Sequence, residues 1–230
     1  MDTRTEPTPA GYPEGWEGHV VLADGGLAFV RPVRTEDQDE LAALHGRMSR
    51  ESQYLRYFSA RRSLPPSEIL REVAVDYRHS MAFVAFVQGQ VAAYACYVGR
   101  EGDDASAEIA FQVEDAHQGR GLGTLLLERL AAYAHERGLR RFTASVLAQN
   151  QRMIEVFRDA GFPRTVKRDG SVIEVSLEID PTRHSREATL QRHGTALAQA
   201  RERLAKPSEG RSPERERSAR ATGRQRRDRP

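Results

Sequence analysis

Hydrophobic and polar positions change period several times along the chain, and each change marks an element. Leu27-Ala28-Phe29-Val30-Arg31-Pro32-Val33 has the content of a short strand and stops at a proline. Thr35 then supplies an N-cap, with Glu36 and Asp37 as an acidic first turn, before Leu41, Leu44 and Met48 recur at helical spacing. Ser49 opens a second short helix, SRESQYLRYF, whose Tyr54, Leu55, Tyr57 and Phe58 crowd its surface. A third helix is predicted after Pro65-Pro66, with Ile69, Leu70 and Val73 turned inward. Three strands follow, Met81 to Val87, Val91 to Val98 and Ala107 to Val113, with turns at Gly89 and at Gly102-Asp103-Asp104. The next helix carries Leu122, Leu125, Leu126 and Leu130 and runs to about Arg137, where Gly138 provides the C-terminal cap. Phe142 to Leu147 reads as a strand, Gln151 to Ala160 as a helix, and Val172 to Ile179 as a last strand after a hairpin at Asp169-Gly170. This order predicts the α/β class, of α+β type: a mixed central β-sheet with helices on both faces.

The ends are different in character. Residues 1–17, rich in Pro, Gly and Thr, are expected to lie loosely on the surface, leaving 18–180 as the folded domain. Residues 181–206 read as a polar helical extension with little to bury. From 207 to 230 the chain is Arg-rich and almost free of apolar residues, and disorder is expected. The formal net charge of +2 conceals this division. From Pro181 onward there are 14 Lys and Arg against 6 Asp and Glu, whereas residues 1–180 hold 21 against 27. Nearly all the basic residues are Arg; Lys167 and Lys206 are the only lysines, a bias that reads as codon usage.

Composition also excludes several classes. A single cysteine, Cys96 in apolar surroundings, rules out an intrachain disulfide framework and is expected in the core. The seven histidines are scattered without metal-ligand spacing, so no metal site is expected. No apolar run approaches the roughly 20 residues that span a bilayer, and no signal segment opens the chain. A soluble cytoplasmic protein with no membrane partner is the expectation. The basic tail lacks interleaved aromatics, so nucleic acid is not an expected partner.

The candidate chemistry lies between a strand and a helix, at Gln118-Gly119-Arg120-Gly121-Leu122-Gly123. A helix start offers unpaired N–H groups and the positive end of the peptide dipoles, which suits a diphosphate. The stretch is not a Walker loop, because Thr124 follows Gly123 without a lysine. Nor does its Gly-x-Gly-x-Gly spacing match the Gly-x-Gly-x-x-Gly of dinucleotide sites. The plainer alternative is that the glycines allow a helix to pack closely.

Gln118, Gly121 and Gly123 do fit Gln/Arg-x-x-Gly-x-Gly/Ala, which resembles the acyl-CoA binding motif of the GNAT N-acetyltransferases. Upstream, Ala107-Glu108-Ile109-Ala110-Phe111-Gln112-Val113 is similar to that family's central strand; downstream, NQRMIEVFRDAGF resembles its second motif. The resemblance runs from about Leu27 to Ile179. The closer likeness is to bacterial protein lysine acetyltransferases that modify acyl-CoA synthetases, a domain often fused to a CoA-ligase-like region. The resemblance implies the GNAT fold, acetyl-CoA as co-substrate and a primary amine as acceptor, foremost a protein lysine ε-amine. A small-molecule amine acceptor and a non-catalytic CoA-sensing module stay open as alternatives.

Carried onto this chain, the resemblance implies that main-chain groups of Phe111 and Val113 grip the pantetheine. Backbone N–H groups of Gln118, Gly119, Arg120, Gly121, Leu122, Gly123 and Thr124 would hold the pyrophosphate. Asn150 matches a cofactor-contacting Asn and is equally suited to cap the helix from Gln151. Glu108 alternates with Ile109 and Phe111, so its carboxylate faces away from those apolar groups and is the candidate base. Glu114, Asp115 and His117 are rival bases, expected instead to shape the loop. Many members carry a tyrosine seven positions after the Asn as proton donor to the leaving thiolate. Here that position is Phe157, and no general acid is assigned.

Overall fold

The computed structural model describes residues 11–59 and 64–205. Eight strands form one sheet: β1 Gly18–Val21, β2 Leu27–Pro32, β3 Ser80–Val87, β4 Gln90–Arg100, β5 Asp103–Val113, β6 Arg141–Leu147, β7 Arg164–Asp169 and β8 Val172–Glu178. Their order is β1-β2-β3-β4-β5-β6-β8-β7. Every neighbouring pair is antiparallel except β5 and β6, which run parallel. The helices are α1 Gln38–Arg47, α2 Arg50–Tyr57, α3 Pro66–Val73, α4 Leu122–Glu136, α5 Gln151–Asp159 and α6 Arg183–Ala205. Since parallel neighbours need a crossover, α4 spans the sheet between β5 and β6.

The sheet is covered on both sides, as the order of elements predicts. Met81, Phe83, Ala85, Tyr97, Ile109 and Phe142 meet Leu126, Leu130 and Tyr133 of α4 in one core. Ala82, Val84 and Tyr94 point the other way, towards Leu41 and Leu44 of α1 and Ile69 and Val73 of α3. Burial on both faces explains why β3 reads SMAFVAFV with almost no polar break. Cys96, expected in the core, packs against the second cluster and is partly buried.

Several expectations are corrected. The part of the N-terminal segment that is described, residues 11–17, is tied down. Tyr12 is buried against Tyr77, and Trp16 packs edge-on to Tyr133. Strands β1 and β7 are additional to those predicted. All six residues of β7 are exposed, so the edge strand has no alternation to read. Strand β5 starts four residues earlier than expected, at Asp103. Helix α6 also does more than lie in solvent. Arg192 pairs with Glu128 of α4, Ala196 is buried, and a Cβ at Gly25 would sit 2.5 Å from the Ala200 backbone nitrogen. The expectations for residues 1–10 and 207–230 lie outside the described residues. Among those described, no helix is long and apolar enough to cross a membrane.

Candidate active site

Strand β5 delivers the chain to a short 3-10 turn, Asp115–His117, after which Gly119 and Gly121 adopt φ of 74° and 83°. Left-handed residues at alternate positions curl the backbone so that successive N–H groups converge on one concavity. Gly121 is the N-cap of α4, and the first N–H of that helix to find a carbonyl is that of Leu125, bonded to Gly121 at 3.0 Å. The N–H groups of Leu122, Gly123 and Thr124 are therefore the unpaired start of the helix. The turn has the geometry of an anion cradle, assembled from the main chain of Gly119 to Thr124. The Gln118 N–H, expected to belong to it, instead donates to the Asp115 carbonyl at 3.3 Å and closes the preceding 3-10 turn.

Side chains around the cradle brace it. Asp115 accepts hydrogen bonds from the Ser49 N–H at 2.8 Å and from the Ser49 and Ser52 hydroxyls, both at 2.7 Å. These bonds outweigh the upward push of burial and hold its carboxyl below the usual range. Glu114 pairs with Arg47 at 3.0 Å, and Arg47 also donates to the Val91 carbonyl at 2.6 Å. His117 lies 2.9 Å from the Arg120 guanidinium, which also pairs with Asp24 at 2.8 Å. The three rival bases thus have structural partners. Gln118 donates its side-chain amide to Ser52 and to the Val113 carbonyl, and Arg152 contacts its oxygen. The side chains of Gln118 and Arg120 are committed to the scaffold, and so is the Gln118 N–H, so what this pair offers a ligand is the main-chain N–H of Arg120.

The predicted pantetheine contacts fall in a gap in the sheet. Strand β5 pairs with β6 only at Ser106, Ala107 and Glu108, the last opposite Thr143. Beyond that point the two parallel strands part. The Glu114 N–H donates to Ala92, which by strand parity directs main-chain groups of residues 108, 110 and 112 to β4. Those of Ile109, Phe111 and Val113 point the other way, into the wedge. The Arg140 N–H bonded to Ala105 at 2.8 Å independently fixes the same parity. Phe111 therefore presents both its N–H and C=O to the gap, while the Val113 carbonyl already receives Gln118 at 3.0 Å.

Glu108 stands at the closed end of this wedge with its side chain on the opposite face from Ile109. It is exposed and has no hydrogen-bonding or charged partner among the described residues. It lines a cleft of about 580 Å3 together with Thr143, Ser145, Lys167, Glu174 and Ser176. That cleft lies on the side of the sheet that bears α1 to α3, and of these helices α2 reaches strands β5 and β6. A carboxylate at its floor can accept a proton from an amine bound there.

The remaining predicted positions are mixed in their roles. The Asn150 side-chain oxygen accepts the Met153 N–H at 3.1 Å, so Asn150 does cap α5. Leu122 is buried in the core, and Thr124 is nearly so. A Cβ at Gly123 would lie 3.0 Å from Val156, so this glycine is needed for α4 to pack on α5, as the plainer reading of the motif allows. Phe157 is in the core with no hydroxyl to offer. No group of three or more His, Cys, Asp or Glu suited to a metal occurs among the described residues.

Sequence reasoning missed the braces: Asp24, Arg47 and Arg152, and the pairing of Ser49 and Ser52 with Asp115. It also missed a buried carboxylate, Glu72 of α3, which accepts from the Gln112 amide at 2.9 and 3.1 Å and from the Tyr57 hydroxyl at 3.3 Å. Burial raises its pKa above the usual range despite Arg56 nearby. An isolated Glu in an amphipathic helix carries no signal of this in sequence.

Comparison with known proteins agrees with this geometry. Residues 49–162 match the Acetyltransferase (GNAT) family. The chain is 33% identical over 167 residues to acetyltransferase Pat of Mycolicibacterium smegmatis, covering 70% of this chain but 49% of that protein. It therefore spans about half the length of that relative. Acetyltransferase PA5475 of Pseudomonas aeruginosa is 27% identical over 144 residues, covering 61% of this chain and 77% of the relative. The crystal structure of the GNAT domain of S. lividans PAT is 37% identical, covers 73% of this chain and 99% of that one, and superposes with a TM-score of 0.68. The helix-start cradle, the parted parallel strands and these likenesses coincide on the same residues, and the chain belongs to the GNAT acetyltransferase family.

Proposed function

We propose that the protein is an acetyl-CoA-dependent N-acetyltransferase whose acceptor is a protein lysine ε-amine, acting in the cytoplasm. The observation that carries this reading is the wedge between β5 and β6, which joins the anion cradle at one end to the Glu108 cleft at the other. A linear cofactor with a diphosphate at one end and a thioester at the other matches that path. The cradle N–H groups from Gly119 to Thr124 would hold the pyrophosphate, each bond to a charged oxygen contributing about 1.5–3 kcal/mol. Phe111, with the N–H of Val113, would align the pantetheine and its thioester carbonyl.

Acetyl transfer needs the amine in its neutral form. A lysine with pKa near 10.4 costs roughly 4.6 kcal/mol to deprotonate at pH 7. Alignment with the thioester can lower the barrier by about 7–11 kcal/mol, so positioning is the larger effect. Glu108 then takes the proton as the carbon–nitrogen bond forms. Phe157 stands where many relatives place a hydroxyl, so no general acid is assigned to the departing thiolate.

The likeness to two proteins named Pat favours a protein acceptor over a small amine, and an acyl-CoA synthetase is the first candidate substrate. Release of free thiol from acetyl-CoA, followed across lysine proteins and small amines, tests this. Turnover with a folded lysine protein is expected. Turnover confined to small amines would remove the protein acceptor, and cofactor binding without any turnover would leave a CoA-sensing module. Replacing Glu108→Gln is expected to lower kcat by roughly 10²–10⁴ with acetyl-CoA affinity unchanged.

A further inference from the structure

Of the 35 Lys and Arg in the chain only Lys167 and Lys206 are lysines. Lys206 lies outside the described residues. Lys167 is therefore the single lysine among those described, and it lines the same cleft as Glu108. Its cross-strand neighbour is Glu174, whose own neighbour on β6 is Ser145. Ser145 lies two residues beyond Thr143, on the side where β5 and β6 part. A row of residues thus leads from Lys167 across the cleft to the wedge. Strand β7 is the edge of the sheet, two strand spacings, about 10 Å, from β6. All its residues are exposed, and Lys167 makes no ion pair among the described residues.

We propose that Lys167 is a self-acetylation site of this protein, a reading that rests on the acetyl-transfer activity proposed above. The ammonium first loses one proton to solvent. The nitrogen lone pair then forms a bond to the thioester carbonyl carbon, and the carbon–sulfur bond breaks with its electron pair leaving on sulfur. Glu108 removes the second proton from nitrogen, and that proton ends on the thiolate of coenzyme A. The cleft holds three cations, Arg100, Arg141 and Lys167, against three carboxylates, Glu108, Glu174 and Glu178. Acetylation leaves two cations against three carboxylates, which favours entry of a cationic acceptor.

Incubation of the full chain with acetyl-CoA and an added lysine peptide, read by intact mass and peptide mapping, tests the proposal. One acetyl group is expected on Lys167, absent from Lys167→Arg and retained in Lys206→Arg. In Glu108→Gln the labelling is expected to slow by roughly 10²–10⁴, as for any amine served by that carboxylate. A rate constant independent of protein concentration indicates transfer within one molecule; one that rises with concentration indicates transfer between two copies, and both support the proposal. Acetylation of the peptide with Lys167 unmodified overturns self-acetylation and leaves the enzyme reading standing. Labelling of Lys167 equally fast in Glu108→Gln overturns it too, as uncatalysed chemistry. If neither amine is acetylated, the activity itself falls.

Discussion

Gly121 and Gly123 stand two positions apart in one motif and are glycine for different reasons. Gly121 holds φ 83° at the N-cap, and its Cβ would meet Ala23 at an ordinary 3.4 Å. Gly123 has helical geometry, but a Cβ there would press on Val156 at 3.0 Å. Substituting Gly121→Val imposes a left-handed conformation on a branched residue, costing about 1–2 kcal/mol, and turns the cradle N–H groups out of alignment. Calorimetric titration is expected to show loss of acetyl-CoA binding with the fold retained; unchanged affinity would count against the cradle. Gly123→Val is expected to lose about 1–3 kcal/mol of stability through overpacking, read from the denaturant midpoint. The motif shows that glycines are needed here. Only the positions of Ala23 and Val156, far away in the chain, show which glycine serves the ligand and which the helix pair.

At the scale of elements, α2 is the piece that fastens the cradle from the side. Ser49 caps the helix by accepting the Ser52 N–H at 3.1 Å, and Asp115 accepts from both serines. The fold favours the ionised form of Asp115. Its stabilisation is therefore complete above the ordinary carboxylate pKa and fades as pH falls through the lowered one. Asp115→Ala is expected to cost about 1 kcal/mol at neutral pH, discounted for partial solvent access, and to flatten the acid limb of stability. Denaturant midpoints measured from neutral to acid pH read both effects, and an unaltered acid limb would exclude the role. The helix start at Ser49 was legible from its capping chemistry. Its partner 66 residues later was not, because capping rules act within one turn and carry no information about what the cap will touch.

Across the whole molecule, the C-terminal helix and the β1–β2 turn form an outer brace behind the cradle. Asp24 pairs with Arg120 at 2.8 Å and stands 3.9 Å from Arg203 of α6, while the Ala23 N–H donates to the Arg120 carbonyl at 3.0 Å. Gly25, at φ 77°, lets α6 approach where a side chain would overlap the backbone of Gln199 and Ala200. Gly25→Val is expected to undock α6 and speed tryptic cutting at its arginines. Each ~1.4 kcal/mol of docking lost raises that rate about tenfold when opening precedes cleavage. Cleavage at the parent rate would show that α6 does not depend on this contact.

By itself the sequence determined the succession of strands and helices from β2 to β6 and on to α5 and β8, the glycine turn at a helix start, the face on which Glu108 lies, and with these the family; the edge strands β1 and β7 it did not show. Such features are set by periodicity and backbone preference over a few neighbouring residues, which the chain states directly. Only the tertiary structure decided that β5 and β6 part after Glu108, that Asp24 reaches Arg120 across 96 residues, and that Lys167 shares a cleft with Glu108. Those outcomes depend on strand order and register. Many distant contacts fix them together, and no local stretch encodes them.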